Sequence, residues 1–170
     1  FPYTTLFRSL QQLVDDMFET MYDACGVGLA APQVGILKRI VVIDVDGTPY
    51  TMINPKILET RDEQSGSEGC LSVPGKAGIV KRPNYVKAEA WNEKMERYEV
   101  EGEGLLARAI CHELDHLDGE MGVALVEGDR YAGGAAAAAG AAWARTWSSG
   151  AGGRRPRRRG RSRSPWAWVP

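Results

Sequence analysis

Three residues in the second half of the sequence have the types and spacing of a metal site. His112, Glu113 and His116 form an HExxH pattern. Residues four apart share a helix face, so both imidazoles can reach one ion, and Glu113 lies beside them as a candidate general base. The chain contains no other histidine. A catalytic site of the zinc type uses three protein ligands and keeps one position for water, so the third ligand must be another residue type.

The cysteines are one source of the missing ligand. Cys111 directly precedes His112, so it points away from the helix face that the histidines share. Cys25 lies beside Gly26 at the end of a predicted helix, a position typical of a small buried thiol. Cys70 lies in SGSEGCLSVPG, which we interpret as a loop whose backbone can bring a thiolate close to an ion. This comparison favours Cys70.

A downstream acidic residue is the alternative third ligand, as in zinc endopeptidases with an HExxH helix. Glu120 and Glu127 are the nearest such residues, but neither lies on a second predicted helix. An endopeptidase would also leave Cys70 and Gln33 without roles. The zinc endopeptidase remains an alternative hypothesis, and the identity of the third ligand tests it.

A stretch rich in glycine and alanine contributes a further polar group. GVGLAAPQVG, residues 26–35, lacks the GxGxxG spacing of a dinucleotide fold, and the chain has no GxxxxGK[ST] phosphate loop. Such a stretch is commonly just a tight connection after a helix. Its informative residue is Gln33, because a side-chain amide can donate a hydrogen bond to a carbonyl oxygen as negative charge develops there.

Hydrophobic periodicity predicts the elements that position these residues. Apolar residues at a spacing of three and four predict a first helix that stops at Gly26: Leu10, Leu13, Val14, Met17, Phe18, Met21 and Tyr22. RIVVIDV, residues 39–45, is typical of a buried strand. TMINPKIL predicts a second extended piece that is interrupted at Pro55. Alternation over residues 86–90, followed by RYEVEG, predicts an antiparallel hairpin.

A last helix is predicted from about residue 103 to residue 117, ending at Gly119. Leu105, Ala109, His112 and His116 form one stripe on this helix, which places the histidines facing inward at the edge of the core. The order of a helix, several strands and a helix favours an α+β fold over a doubly wound parallel sheet.

Length and composition indicate one globular domain. The chain has 170 residues, with 44% hydrophobic and 25% charged residues, and no run approaches the ~20 apolar residues that span a bilayer. The start lacks the features of a signal peptide. The three cysteines, an odd number at no framework spacing, predict free thiols or metal ligands in a reducing compartment. We therefore expect a cytoplasmic protein.

Both ends of the chain have an unusual composition. The opening FPYTTLFRS resembles translated adapter sequence, and we expect residues 1–9 to be a non-native leader. From residue 131 onward the chain has eight arginines and no acidic residue. We expect residues 130–170 to be an Arg/Gly/Ala-rich tail that is disordered or translated out of frame, since G+C-rich codons read out of frame give this composition. A basic arm that binds RNA through its phosphates is the less favoured alternative.

Three motifs, GVGLAAPQ, EGCLS and HELDH, resemble in this order the signature motifs of the peptide deformylase family. The similarity covers residues 10–129, the expected catalytic domain, so the chain is expected to be a fragment with non-native ends. The family removes the formyl group from the formylmethionine of nascent proteins, giving formate and a free Met N-terminus. The resemblance implies a metal-dependent amidohydrolase, with antiparallel strands packed around a central C-terminal helix that carries HExxH.

The resemblance assigns a role to each matching position. The implied metal ligands are Cys70, His112 and His116. Glu113 would be the general base and later the acid of the reaction. Gln33 and the backbone amide of Leu71 would hold the formyl oxygen, and Gly28 would pair with the substrate backbone. The family usually works with Fe(II) in cells and accepts zinc, nickel or cobalt, and the ligand set suits several of these ions.

Further residues are candidates for supporting roles. Val27, Leu105 and Ala109 are candidates for the methionine pocket, although each also fits plain core packing. Glu68 and Arg82 are candidates for an ion pair behind the Cys70 loop, with a solvated pair as the alternative.

The resemblance also implies partners. Substrates would be N-formylmethionyl nascent peptides at the ribosome of a bacterium. Separately, we expect a monomer without membrane or nucleic-acid partners. The rival hypotheses are the zinc endopeptidase and a nucleic-acid-binding module built on the basic tail. The module would need a closed metal site with four protein ligands.

Overall fold

The computed structural model describes the backbone of residues 2–120 and the side chains of residues 9–73 and 77–120. The elements, in chain order, are helix α1 (Pro2–Asp23), strand β1 (Gly28–Ala30), a 3-10 helix (Ala31–Val34), strands β2 (Ile40–Val45), β3 (Thr48–Cys70), β4 (Val73–Trp91) and β5 (Arg97–Glu103), and helix α2 (Leu105–Asp118). The strands form one antiparallel sheet in the order β1-β2-β3-β4-β5. The predicted α+β fold is confirmed. Residues 121–129 of the expected catalytic domain and the expected tail, residues 130–170, lie outside the described residues.

Helix α1 packs one apolar face against the sheet. Its most buried residues recur at a spacing of three and four: Val14, Met17 and Met21. The helix ends at Asp23, close to the predicted stop at Gly26. It begins at Pro2, so it includes most of residues 1–9. The expected non-native origin of that segment stays a prediction.

Strand β2 is covered on both faces, which explains why nearly every position in it is apolar. Val41 and Ile43 pack in one cluster with Ile110 of α2. Ile40 and Val42 pack in a second cluster with residues of α1. Successive side chains of a strand point to opposite faces, so a strand between two helices needs apolar residues throughout. The buried strand predicted from RIVVIDV is confirmed.

The long hairpin of β3 and β4 is the largest difference from the sequence-based expectation. Only two short extended pieces were predicted, whereas β3 has 23 residues and β4 has 19. The interpretation of SGSEGCLSVPG as a loop around Cys70 was wrong: Cys70 ends β3, and the chain turns at Leu71 and Ser72. The middle of β3, residues 58–63, is exposed at every position. It therefore lacks the apolar alternation by which a strand is recognised.

The sequence predicts an interruption of the second extended piece at Pro55, but the strand continues through this residue. The pairing of β3 with β4 shifts between Ile53 and Lys56, and a bulge of this kind accommodates a residue that has no N–H to donate. The strand continues beyond it to Cys70.

The predicted hairpin of residues 86–90 with RYEVEG is confirmed by the antiparallel pairing of β4 with β5. The side chain of Asn92 organises its turn, since Oδ1 accepts hydrogen bonds from the backbone N–H groups of Lys94 and Glu96, each at 2.9 Å.

Helix α2 carries the HExxH pattern and packs against the sheet. Its buried residues are Ala107, Arg108, Ala109, Ile110, Cys111, His112, Glu113, Leu114 and His116. The helix ends at Asp118, and the left-handed Gly119 donates its N–H to the carbonyls of the last turn, as the sequence predicted. Within residues 2–120, neither helix combines the length and apolar character needed to cross a membrane.

Candidate metal centre

Cys70, His112 and His116 converge where the end of β3 meets α2. Sγ of Cys70 lies 3.2 Å from Nε2 of His116, and that nitrogen lies 3.2 Å from Nε2 of His112. The three ligand atoms all lie within 4.8 Å of one another, and all three residues are buried. The tertiary structure thus brings together side chains that the sequence places in two distant motifs.

This arrangement fits a divalent metal ion. Around a tetrahedral ion with nitrogens at about 2.0 Å and sulfur at about 2.3 Å, two nitrogens lie roughly 3.3 Å apart and a nitrogen and a sulfur roughly 3.5 Å apart. Both distances are a little beyond the two 3.2 Å separations here. The rings of His112 and His116 meet edge to face, with centroids 4.9 Å apart and planes at 78°. Two imidazoles and a thiolate suit several transition-metal ions and are poor ligands for magnesium or calcium.

The environment of Cys70 favours the thiolate, which is the form that binds metal. Burial by itself raises the pKa of this thiol. Hydrogen bonds with His112 and His116 outweigh burial and lower the pKa to about 5. The thiolate is therefore the favoured form of Cys70 at neutral pH.

The other candidates for the third ligand lie apart from this cluster. Cys111 packs in the apolar cluster, where burial raises its pKa to about 11. Cys25 is half-buried just after α1. Glu120 is exposed beyond the end of α2, and Glu127 lies outside the described residues. Within residues 2–120, the group able to hold an ion is the one that contains Cys70.

Glu113 lies beside the candidate ligands with its carboxylate buried. The residue is 3% exposed, and its Oε2 has no hydrogen-bond partner among the described residues. Burial raises the pKa of the carboxyl to about 7, against the opposing effect of His112 and His116. Gly28 makes room for this side chain, because a Cβ at that position would lie 2.8 Å from Cδ of Glu113. The carboxylate is thus held against β1, at the edge of the cluster.

The side-chain amide of Gln33 has a defined orientation. The backbone N–H of Ala30 donates to Oε1 at 2.8 Å, which fixes the opposite end of the amide toward the ligands. Nε2 donates to Oγ of Ser72 at 3.0 Å and lies 4.0 Å from Sγ of Cys70. Leu71 lies between Cys70 and Ser72 in the turn. Ser72 was not predicted as a site residue, although its place in the EGCLS motif was a signal.

Glu68 and Arg82 form a buried ion pair behind Cys70. Nε of Arg82 donates to Oε1 of Glu68 at 2.9 Å and Nη2 donates to Oε2 at 3.0 Å. Oε2 also lies 3.0 Å from Nδ1 of His112, so the carboxylate orients this imidazole and leaves Nε2 for an ion. Burial alone raises the pKa of Glu68, but hydrogen bonds from His112 and Arg82 lower it to about 2. The carboxylate is therefore ionised at neutral pH.

Two charged residues of α2 join this ion pair and were not predicted. Nη1 of Arg108 donates to Oε1 of Glu68 at 2.9 Å, and Nη1 of Arg82 donates to Oδ2 of Asp115 at 2.6 Å. A signal did exist, because residues 108 and 115 flank His112 at helical spacing and share its face. The sequence pattern does not say which residues of a distant hairpin that face meets.

The residues expected to form a methionine pocket lie in or against the core. Ala109 is fully buried, and Val27 and Leu105 are partly buried and pack against the same cluster. These positions fit core packing, and a role in binding methionine stays a prediction.

Comparisons with known proteins find one family. A sequence model of the family described as Polypeptide deformylase matches residues 2–128. A peptide deformylase of Agathobacter rectalis is 72% identical over 125 residues, which cover 74% of this chain and 79% of the relative. The structure of a peptide deformylase from Thermotoga maritima superimposes with a TM-score of 0.69 at 41% identity, covering 71% of this chain and 83% of that one. For a peptide deformylase from Synechococcus elongatus in complex with actinonin, the TM-score is 0.68 at 45% identity, covering 70% and 68%.

Proposed function

This chain belongs to the polypeptide deformylase family, and we propose that it is a metal-dependent hydrolase that removes the N-formyl group from the formylmethionine of nascent polypeptides. The products are formate and a free methionine N-terminus. One observation carries the proposal: Sγ of Cys70 lies within 3.2 Å of an imidazole of the HExxH helix. This thiol supplies the third ligand that the two histidines require.

Cys70, His112 and His116 would hold the ion. When bound, a divalent cation supplies Lewis acidity and makes water acidic enough to act as a nucleophile near neutral pH. Glu68 supports the site through Nδ1 of His112, which keeps Nε2 of that ring facing the other ligands.

Glu113 moves the proton in this reaction. Its carboxylate takes a proton from the attacking water as the water oxygen bonds to the formyl carbon. The carbon–nitrogen bond then breaks, and Glu113 gives the proton to the departing amine. The residue returns to its starting state, so each cycle consumes one water and releases formate and the amine. Burial of the carboxylate keeps bulk water away from the transfer.

Gln33 and the backbone amide of Leu71 stabilise the negative charge that develops on the formyl oxygen. The amide of Gln33 is oriented by Ala30 before substrate arrives, so its Nε2 needs little reorganisation. Removing one such donor from a hydrolase lowers kcat by about 100- to 1,000-fold.

The edge of β1 is suited to binding the peptide. Among the described strands, β1 pairs only with β2 and leaves its other edge free, and an extended peptide can add to a free edge. Gly28 would pair with the substrate backbone there, and its missing side chain lets Glu113 approach. We propose Val27, Leu105 and Ala109 as the walls of the methionine pocket.

The formyl carbon carries only hydrogen, so a narrow site admits it and excludes larger acyl groups. The test is hydrolysis of a formyl-Met peptide beside the same peptide with an acetyl group. We expect turnover of the formyl substrate, inhibition by actinonin, and loss of activity in Glu113→Gln. The matched control is Asp118→Asn, which alters an exposed acid on the same helix. Equal rates for formyl and acetyl substrates, or an active Glu113→Gln protein, would contradict the proposal.

The assignment of Cys70 is tested separately by metal analysis. Cys70→Ala should lose stoichiometric metal, whereas Cys111→Ala removes a neighbouring buried thiol and should keep it. Full metal content in Cys70→Ala would reject the thiol as a ligand.

We propose Fe(II) as the ion in cells, with zinc, nickel or cobalt able to replace it. Support comes from the donor set of one thiolate and two imidazoles, which suits these ions. Elemental analysis of protein purified without oxygen should find iron. Stoichiometric zinc in such a preparation would contradict this assignment.

We further propose that the enzyme is a cytoplasmic monomer that meets its substrates as nascent peptides at the ribosome. Light scattering would measure the mass in solution, and sedimentation with translating ribosomes would measure the association. A stable dimer would contradict the monomer. Sedimentation no greater than that of a Glu113→Gln control whose site is filled with free peptide would contradict the association with nascent peptides.

A further inference from the structure

Arg108 is buried, charged and unused by the mechanism above. It is 2% exposed. Nη1 donates to Oε1 of Glu68 at 2.9 Å and to the carbonyl oxygens of Gly66 at 3.3 Å and Val80 at 3.2 Å. Nη2 donates to Oε1 of Gln64 at 3.2 Å. All the acceptors belong to the β3–β4 hairpin, while Arg108 itself belongs to α2.

The guanidinium therefore joins the two elements that carry the metal ligands. Cys70 lies on β3, two residues after Glu68, and His112 lies on α2, one helical turn after Arg108. The contacts between Arg108 and the hairpin therefore lie beside the place where Cys70 of β3 meets the histidines of α2. A guanidinium holds its donors in a rigid planar fork, so all its contacts are satisfied at one spacing of helix and hairpin.

Gly66 is shaped for this contact. A Cβ at position 66 would lie 2.9 Å from Nη2 and 3.2 Å from Cζ of Arg108. The backbone of Gly66 is not left-handed, so close approach of the guanidinium, rather than an unusual conformation, explains a glycine here. With a Cβ at this position, the guanidinium or the backbone of residue 66 would have to shift.

We propose that Arg108 is a positioning residue for the metal centre. By fixing the distance between α2 and the hairpin, it brings the thiolate of Cys70 to the imidazoles of the HExxH helix and holds Glu68 against Nδ1 of His112. The inference rests on the proposed function, because it assumes that this cluster binds the catalytic ion. Arg82 donates two further hydrogen bonds to Glu68, so Glu68 retains a cationic partner when Arg108 is replaced.

The test uses the full chain loaded with Co(II), whose visible spectrum reports the ligands and their geometry. Arg108→Met keeps most of the stem and removes every donor. Arg108→Lys keeps the charge without the fork, and Gly66→Ala displaces the guanidinium without removing a polar group. The matched control is Arg39→Met, which removes an exposed arginine that pairs with Asp118 at the end of the same helix. Each protein is measured for Co(II) affinity, for its spectrum, and for kcat and KM on a formyl-Met peptide at saturating Co(II).

Loss of a group that orients a metal ligand lowers metal affinity by about 10- to 100-fold. We expect a loss of this size in Arg108→Met, with shifted cobalt bands and a lower kcat but little change in KM. Gly66→Ala should change in the same direction by less, and Arg39→Met should match the wild type.

A folded Arg108→Met protein with wild-type affinity and spectrum would overturn the inference. Full wild-type behaviour in Arg108→Lys would also overturn it, because a charge without the planar fork would then suffice. If Arg108→Met does not fold, Gly66→Ala decides, because an unchanged affinity and spectrum in that variant would also overturn it. A wild-type protein that binds Co(II) but does not hydrolyse the peptide would refute the proposed function, and the affinity series would still decide the role of Arg108.

Discussion

Replacing Glu68 by glutamine should lower the free energy of unfolding by about 3 kcal/mol, toward the lower end of the range for breaking a buried ion pair. Glu68 pairs with two guanidinium groups. The side chains of Glu68, Arg82 and Arg108 are 2%, 6% and 3% exposed. Solvent therefore cannot stabilise the guanidinium charge that Glu68→Gln leaves unpaired.

The expected size follows from the charges in the cluster. Two arginines, Arg82 and Arg108, face two acids, Glu68 and Asp115, so the charges of these four side chains balance. Glutamine at position 68 leaves one uncompensated positive charge in the buried part of the cluster. Removing one partner of a buried pair costs about 3–5 kcal/mol. Glutamine has a similar shape and can still accept one hydrogen bond, which favours the lower value. A domain with a stability of about 5–15 kcal/mol would still fold.

The assay is urea denaturation of the full chain with a chelator present, so that differences in metal affinity do not enter. Circular dichroism follows the helices, and linear extrapolation gives the free energy. The matched control is Glu89→Gln, which breaks a more exposed pair with Arg97 and should cost less than about 1 kcal/mol. A loss below about 1 kcal/mol for Glu68→Gln would refute the argument from an unpaired buried charge.

Four further predictions concern the site, the pH dependence and the core. Gly28→Ala should lower kcat/KM by about 100-fold without loss of metal, because its Cβ would displace the carboxylate of Glu113; unchanged steady-state kinetics would contradict this. Burial raises the pKa of Tyr98 from 10.0 to about 12, so folding favours the protonated phenol. Its contribution to stability is complete below pH 10 and is lost as the pH rises toward 12, and the advantage of the wild type over Tyr98→Phe in urea titrations should shrink over that interval rather than stay constant. Ile110→Ala, at a fully buried position, should cost about 2–5 kcal/mol, while Leu37→Ala, at a position 92% exposed, should stay within about 0.5 kcal/mol; equal losses in thermal melts would refute the assignment of the core. Removing the metal with a chelator should abolish deformylation and adding cobalt should restore it, whereas activity that survives complete metal removal would contradict the ligand set.

Elements with a buried face could be predicted from the sequence. Strand β2 and helix α2 each bury apolar side chains at the spacing of their own backbone, so their patterns identified them. Strand β3 could not be recognised in the same way. Its residues 58–63 are exposed, and they are held extended by pairing with β4, a partner that periodicity does not reveal.

The same distinction between local pattern and tertiary packing applies to the candidate site. The spacing of His112 and His116 on one helix placed both imidazoles on a shared face. Cys70, Glu113 and Gln33 were named from motifs, yet their arrangement depends on where β3 and the 3-10 helix meet α2. The sequence placed Cys70 in a loop, whereas the residue lies at the end of a strand.

The sequence by itself determined the chemistry available to this protein: two imidazoles and a carboxylate on one helix, a thiol in a second motif and an amide in a third. Local spacing is sufficient for this, because the geometry of a helix is the same wherever it occurs. Only the tertiary structure decided which charged groups meet behind the candidate metal ligands. Arg108 and Asp115 face Glu68 and Arg82 because α2 packs against a long hairpin at one spacing. Contacts between elements distant in sequence depend on that packing, and no local pattern specifies it.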